Sequence, residues 1–291
     1  MQQTLANLVA FAALTTGALA ATGQFSVLAM NVAGLPAALQ GNDIPGDKAV
    51  NSGLIGSKFA EYDYDIINMQ EDFNYHAYIY ETDTHPHRTP TSGGVPFGSG
   101  LNTVSNFPFT SFERIRWNKC STFDGADCLT PKGFTFMRVE IAAGVFVDAY
   151  NLHTDAGTTS ADLSARRSNI QQVSDYITAN SAGNAVIVFG DTNTRYSRTG
   201  DNIRLFREAN GMTDAWVQLV RGGVEPTAES LCSNPSTTND CEIVDKVLYR
   251  SGTNVRLQAT RFNYESSRFL QADGSLLSDH NPVLAEFTWS N

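Results

Sequence analysis

Lysine is scarce in this 291-residue chain: five residues stand beside fifteen arginines and thirty acidic side chains, for a formal net charge of −10. The basic residues are scattered and build no stripe, which argues against a protein that only binds polyanions, because such proteins carry a basic face. It leaves room for an enzyme that holds phosphate on a metal ion. Among the four cysteines no Cys-x-x-Cys or Cys/His zinc spacing occurs, so a structural zinc site is not expected. The sequence has no Asn-x-Ser/Thr sequon and so no standard N-glycosylation site. No apolar run approaches the ~20 residues that span a bilayer. Pro/Ser-rich linkers, heptads and short repeats are missing too, which favours one domain over two for a chain with 42% apolar residues.

The first twenty residues carry no charged side chain. They hold an apolar run, Leu8 to Leu14, then Ala18-Leu19-Ala20, a small-x-small cleavage pattern. This predicts a secretory signal peptide over residues 1–20, with only the terminal amine as its basic region, and an exported catalytic domain over 21–291. The whole negative charge then belongs to the mature part. Cys120 and Cys128 flank one Gly/Asp-rich segment, and Cys232 and Cys241 flank a second polar one. Of three pairings, the local bridges Cys120–Cys128 and Cys232–Cys241 are the simplest, and they suit an oxidising compartment.

Runs rich in Val, Ile, Phe and Tyr predict strands at Phe25–Asn31, Asp65–Gln70, Ala77–Tyr80, Asn102–Ser105, Phe109–Trp117, Phe134–Ile141, Val145–Asn151, Ala185–Phe189, Ile243–Tyr249, Val255–Phe262 and Val283–Trp289. The clearest helix runs from Ser160 to Ala179, with Leu163, Ile170, Val173 and Ile177 on one face and a capping start at Thr159-Ser160-Ala161-Asp162. Val50–Tyr62 and Asn202–Ala209 are further helix candidates. Strand pairs interleaved with occasional helices imply an α/β fold of two packed sheets with helices outside, without a regular βαβ repeat.

Several of these apolar runs stop at a polar residue that could do chemistry. They are Asn31, Gln70-Glu71, Asn151-Leu152-His153, Gly190-Asp191-Thr192-Asn193, Asp245 in Ile243-Val244-Asp245, and Ser278-Asp279-His280 ahead of Asn281-Pro282. Each alone reads equally well as a turn, an Asx motif or a solvated loop. Taken together, in this order and spread over the whole mature chain, they resemble the endonuclease/exonuclease/phosphatase superfamily. The resemblance implies a deoxyribonuclease I-like fold, a four-layer sandwich of two mixed β-sheets flanked by helices. It also implies phosphoester hydrolysis by in-line attack of water, without a covalent intermediate.

The residue types fit that chemistry. An anionic phosphodiester repels nucleophiles until a divalent cation neutralises its oxygens. Glu71, Asp279 and the neutral Asn31 offer hard oxygen donors, which suits Mg²⁺, with Mn²⁺ or Ca²⁺ as substitutes. His280, neutral near pH 7, would accept a proton from water, oriented by Asp245. By resemblance, Asp191 and Asn193 orient the nucleophile and phosphate, and His153 donates to a phosphoryl or leaving oxygen. Many nucleases of this superfamily carry an acidic residue two positions after the N-terminal Asn; this chain has Ala33, which weakens an abasic-site-endonuclease reading. His76, His85 and His87 are expected to be structural or solvent-facing.

Three stretches lean towards a lipid substrate. Pro131-Lys132-Gly133-Phe134 and Arg167-Ser168-Asn169-Ile170-Gln171 resemble neutral sphingomyelinase-type members. Arg261-Phe262-Asn263-Tyr264 through Phe269-Leu270 would place apolar side chains on a loop beside the cleft, where they could enter a lipid interface. Gly94-Val95-Pro96-Phe97-Gly98 is a second apolar loop. The reading is a secreted, monomeric phosphodiesterase acting on phospholipid, with transient membrane-surface contact. An extracellular nuclease taking nucleic acid, an inositol phosphate phosphomonoesterase and a non-catalytic binding module are the alternatives.

Overall fold

A computed structural model describes residues 21–36, 38–39, 44–122 and 127–291. The leader expected over residues 1–20 lies outside the described residues. In chain order the elements are β1 (Thr22–Asn31), α1 (Lys48–Tyr62), β2 (Ile66–Gln70), α2 (His76–Thr82), β3 (His87–Arg88), β4 (Asn102–Ser105), β5 (Phe109–Arg116), β6 (Gly133–Ala142) and β7 (Val145–Leu152). They continue with α3 (Ser160–Asn180), β8 (Ala185–Asp191), α4 (Leu205–Asn210), β9 (Thr213–Asp214), α5 (Ala215–Leu219), β10 (Asp245–Arg250), β11 (Arg256–Tyr264) and β12 (Val283–Ser290). One sheet has the order β11-β12-β1-β2-β4-β3, the other β5-β6-β7-β8-β10-β9. Each is mixed, with a single parallel pair at its centre, β1/β2 and β7/β8. A parallel pair needs a crossover, and α1 and α3 supply them.

Strand alternation explains the layers. On β1, Phe25, Val27 and Ala29 face the core between the sheets, and Leu28 and Met30 face a second core on the other side. There they meet Ile55 and Phe59 of α1 and Ile79 of α2. On the far side, Tyr176 of α3 lies against the rings of Phe134 on β6 and Tyr150 on β7. The packed sheets flanked by helices are thus the architecture the strand and helix pattern implied. Asp47 caps α1 by accepting from the amides of Ala49 and Val50, and Thr159 with Asp162 forms the reciprocal capping box of α3. Both disulfides are the local pairs.

Two expectations change. Ala77–Tyr80 is helical, inside α2; its aromatic, β-branched composition suggests a strand, but the segment packs Ile79 against α1. Phe262 and Phe269 are buried, with Phe269 edge-on to Phe59 at 5.8 Å, so the 261–270 segment offers no apolar side chain of this kind to a lipid surface. The first half of that segment is strand β11, and the second sits on the α1 core.

Candidate active site

Strand direction gathers the site. Because β1 and β2 are parallel, with Asn31 opposite Gln70, Asn31 and Glu71 leave the sheet at one end. The parallel pair β7/β8 delivers His153 and Asp191 in the same way, and these two form an isolated bridge. Strand β10 runs antiparallel to β8 with Asp245 opposite Asp191. Strand β12 runs antiparallel to β1, so the 278–281 segment before it meets the same edge. A cleft of about 440 Å³ opens there, lined by Glu71, His153, Asp191, Asn193 and His280 together with Leu35, Leu39, Phe73, Val95 and Leu129.

The side chains interlock. His280 Nδ1 is 2.8 Å from Asp245 Oδ2, and its Nε2 is 3.9 Å from Asp191 Oδ2. His153 Nε2 stands 3.4 Å from the same Asp191 oxygen. Asn31 Nδ2 donates to that oxygen at 3.4 Å. Asn193, at φ 47°, donates its amide to Asp191 Oδ1 and its side-chain NH₂ to the Thr154 carbonyl. Glu71 also has left-handed backbone, φ 56°, a conformation that costs about 1 kcal/mol or more and concentrates at functional sites. Close backbone approach is built in: a Cβ on Gly34 would stand 2.4 Å from the Glu71 carbonyl, and one on Gly190 2.6 Å from that of Leu152. His76, His85 and His87 do not line the cleft.

Lys132, which the sequence marks only as part of a family-like segment, belongs to the site. Its ammonium pairs with Asp127 and lies 3.2 Å from His153 Nε2. Burial opposes its charge, but Asp127, Glu71 and Asp191 raise its pKa, so it stays a cation. Its sequence signal was the Pro131-Lys132-Gly133-Phe134 segment just before β6, which pointed to the substrate class and gave Lys132 no role in the site. Lys48 donates to the carbonyls of Ala33 and Leu35 and so pins the loop after Asn31, at the position where Ala33 lacks an acidic side chain.

The electrostatics mark an acid-rich site. Burial raises Glu71, and the nearby Asp279 adds to that rise while Lys132 opposes it. Burial and then Asp245 raise Asp191. Burial works against a charged His280, yet Asp245 and Asp191 outweigh it and push its pKa well up. The carboxylates of the chain therefore favour the charged form of His280. Burial, then the charges of Lys132 and His280, keep His153 neutral. Glu71 Oε2, Asp245 Oδ1 and Asp279 Oδ1 are buried atoms with no hydrogen-bond partner among the described residues. Asp191, Asp245 and His280 bring ligand atoms within 4.8 Å of one another, a cluster able to hold a divalent metal. Hard oxygen donors with unsatisfied buried lone pairs fit such an ion.

A family model described as Endonuclease/Exonuclease/phosphatase family 2 matches residues 47–224. The sphingomyelinase of Mycobacterium tuberculosis (strain ATCC 25618 / H37Rv) is 40% identical over 276 residues, which cover 91% of this chain and 53% of that protein. The chain thus spans about half the length of the curated relatives it matches. Sphingomyelinase C from Streptomyces griseocarneus superposes with a TM-score of 0.63 at 18% identity, covering 91% of this chain and 99% of the other. TDP2 of D. rerio, complexed with a single-strand DNA product, gives 0.64 at 16% identity, covering 91% and 98%. At such identities the solved structures establish the fold, and the sequence match carries the family. With the two-sheet architecture and the polar cleft at the strand ends, these findings place the chain in the endonuclease/exonuclease/phosphatase family.

Proposed function

We propose that this protein is a secreted, divalent-metal-dependent phosphodiesterase that hydrolyses a phospholipid on the lipid side of its phosphate, as a sphingomyelinase-like phospholipase C does. The observation that carries the reading is the mixed lining of the cleft: the carboxylates, imidazoles and ammonium of Glu71, Asp191, His153, His280 and Lys132 stand in it together with Leu35, Leu39, Phe73, Val95 and Leu129. A headgroup phosphate suits the charged members, and the first atoms of an apolar tail suit the apolar ones. The 40% identity to a protein named sphingomyelinase supports the same reading. Two disulfides and the expected leader support export.

Asn31, Glu71 and Asp279 would hold Mg²⁺, or Mn²⁺ or Ca²⁺ in its place. The bound ion supplies neutralisation of phosphoryl and leaving-group charge. The chain's own groups do the rest. Water attacks phosphorus in line with the lipid oxygen while His280 Nε2 takes its proton, and the Nδ1 hydrogen bond to Asp245 steadies the resulting imidazolium. His280 must first lose the proton that the surrounding carboxylates stabilise. Asp191 and Asn193 set the water and the phosphate. Lys132, charged beside the neutral His153, faces the developing negative charge and is the better proton source for the departing alkoxide.

Contact with a lipid surface falls to the rim of the cleft. Leu129 is 61% exposed and Leu39 57%, both in the lining of the cleft, and Phe97 is 82% exposed two residues beyond the cleft-lining Val95. Phe97 lines an adjoining hollow with Trp117 and Arg116, and Leu129 is common to that hollow and the cleft. The decisive experiment is hydrolysis by purified protein, with Mg²⁺ and with EDTA, of sphingomyelin vesicles, phosphatidylinositol vesicles, single- and double-stranded DNA, RNA and inositol phosphates. Metal-dependent release of a phosphorylated headgroup is expected. Cleavage of nucleic acid with both lipids inert would overturn the substrate class and leave the site standing.

A further inference from the structure

The loop closed by Cys232–Cys241 contributes no side chain to the cleft, yet it holds the segment that carries Asp279 and His280. Asn234 Nδ2 donates to the Ser278 carbonyl at 3.0 Å, on one flank of the pair. On the other flank, the loop clasps Asn281 twice, Ser236 N donating to its Oδ1 at 2.9 Å and its Nδ2 donating to the Ser233 carbonyl at 3.1 Å, and from outside the loop Ser266 Oγ donates to the same Oδ1. Asn281 is buried, and the bond from Ser236 N is shielded from water. The rear of the loop is anchored in turn, because the Asn239 side chain joins Asn263 and the Tyr264 amide, and its carbonyl accepts from Trp216 Nε1.

The exit of the loop reaches two more site residues. Tyr264 OH donates to the Cys241 carbonyl. The next residue, buried Glu242, accepts from the Tyr196 amide at 2.6 Å and the Ser197 hydroxyl at 2.6 Å. These follow Asn193 closely in the chain. Thr192 N and Oγ1 both donate to the Val244 carbonyl, immediately before Asp245. One disulfide-closed loop therefore fixes the His280 segment, the entry to Asp245 and the turn after Asp191, whose side chains must meet within hydrogen-bonding distance. A shift of about 1 Å at such a contact can cost about 10²-fold in rate.

We propose that the Cys232–Cys241 loop is the positioning device of the His280–Asp245 pair, with Asn281 and Asn234 as positioning residues that act through the 278–281 backbone. The proposal rests on the catalytic reading of His280, so its test has an arm that needs no turnover. In the imidazole proton NMR spectrum, the Nδ1–H of His280 bonded to Asp245 gives a downfield signal, identified by its loss in His280→Asn. Asn281→Ala, Asn234→Ala and Cys232→Ser/Cys241→Ser should each lose or shift it. On a soluble chromogenic phosphodiester, Asn281→Ala should lower kcat about tenfold or more with KM within twofold. Combining it with the cysteine pair should add little, because both changes break one clamp. An unmoved signal in folded Asn281→Ala and Asn234→Ala overturns the proposal. So does a multiplicative loss in the combined variant, or equal damage to kcat and KM. If no substrate turns over but the signal behaves as described, the substrate reading falls and the positioning role stands. Should the cysteine variant fail to fold, the two asparagine variants decide alone.

Discussion

At the scale of single residues, the site is governed by who neutralises whom. Asp245 and Asp191 sit opposite each other in register, and His280 lies against both. An imidazole in that field holds its proton to higher pH than the ordinary value of 6.5. A base that must be neutral then gives a rate that rises with pH, with its acidic limb displaced upward. Asp245→Asn removes the leading charge that raises the pKa, so the limb of kcat/KM should move to lower pH while the plateau falls by about 10²–10⁴-fold, the usual range for a lost acid–base partner. A pH–rate profile of the two proteins checks this, and an unmoved limb would detach His280 from the acid–base role. The same scale shows why Lys132 escaped the sequence reading. A lone lysine before a strand has no distinguishing pattern, and only the fold brings it to Asp127, His153 and the charges of Glu71 and Asp191.

At the scale of elements, the two apolar segments singled out in the sequence part ways. The stretch 261–270 is half strand and half core, whereas the Gly94–Gly98 loop, held by the Asn74 side chain accepting from the Val95 amide, lifts Phe97 into solvent. Phe269→Ala should cost about 3–5 kcal/mol of stability, as a large buried aromatic does, measured as a drop in denaturation midpoint. Phe97→Ala should change stability by no more than about 0.5 kcal/mol, yet reduce hydrolysis of vesicle lipid far more than that of a soluble phosphodiester. Equal losses on both substrates would remove Phe97 from surface contact. Helix α3 was legible because a capping start and a spaced apolar face coincide there, whereas the Asp47 cap of α1 lies ahead of the expected Val50–Tyr62 segment. Helix α2 was not, since seven residues are too few for a period to show and its Ile and Tyr favour strands out of context.

At the scale of the whole molecule, the acidic cleft and a buried histidine elsewhere make opposite demands on the solution. Metal should stabilise the fold by mass action, about 2.7 kcal/mol at a hundredfold excess over Kd, seen as a Mg²⁺-dependent rise in Tm that Glu71→Gln abolishes. Far from the cleft, His85 is bonded to Asp83 through Nδ1 and to the Tyr64 carbonyl through Nε2. Burial disfavours its charge, but these two acceptors raise its pKa above 6.5. A raised histidine contributes stability that is complete below its unfolded pKa and is lost as pH climbs through the folded one. Stability should therefore fall on going upward from about pH 6.5, and His85→Gln should flatten that part of the slope in denaturant titrations at several pH values. The sequence by itself determined the strand runs, the capped helices, the local disulfides and the polar residues at the ends of apolar runs, because each is encoded by neighbours in the chain. Only the tertiary structure decided that β10 and β12 enter the site head first while β1, β2, β7 and β8 leave it tail first, that Lys132 completes it, and that Phe97 rather than Phe269 is exposed. Those outcomes depend on strand direction and on which face of each segment the two cores take up, and no local pattern carries that information.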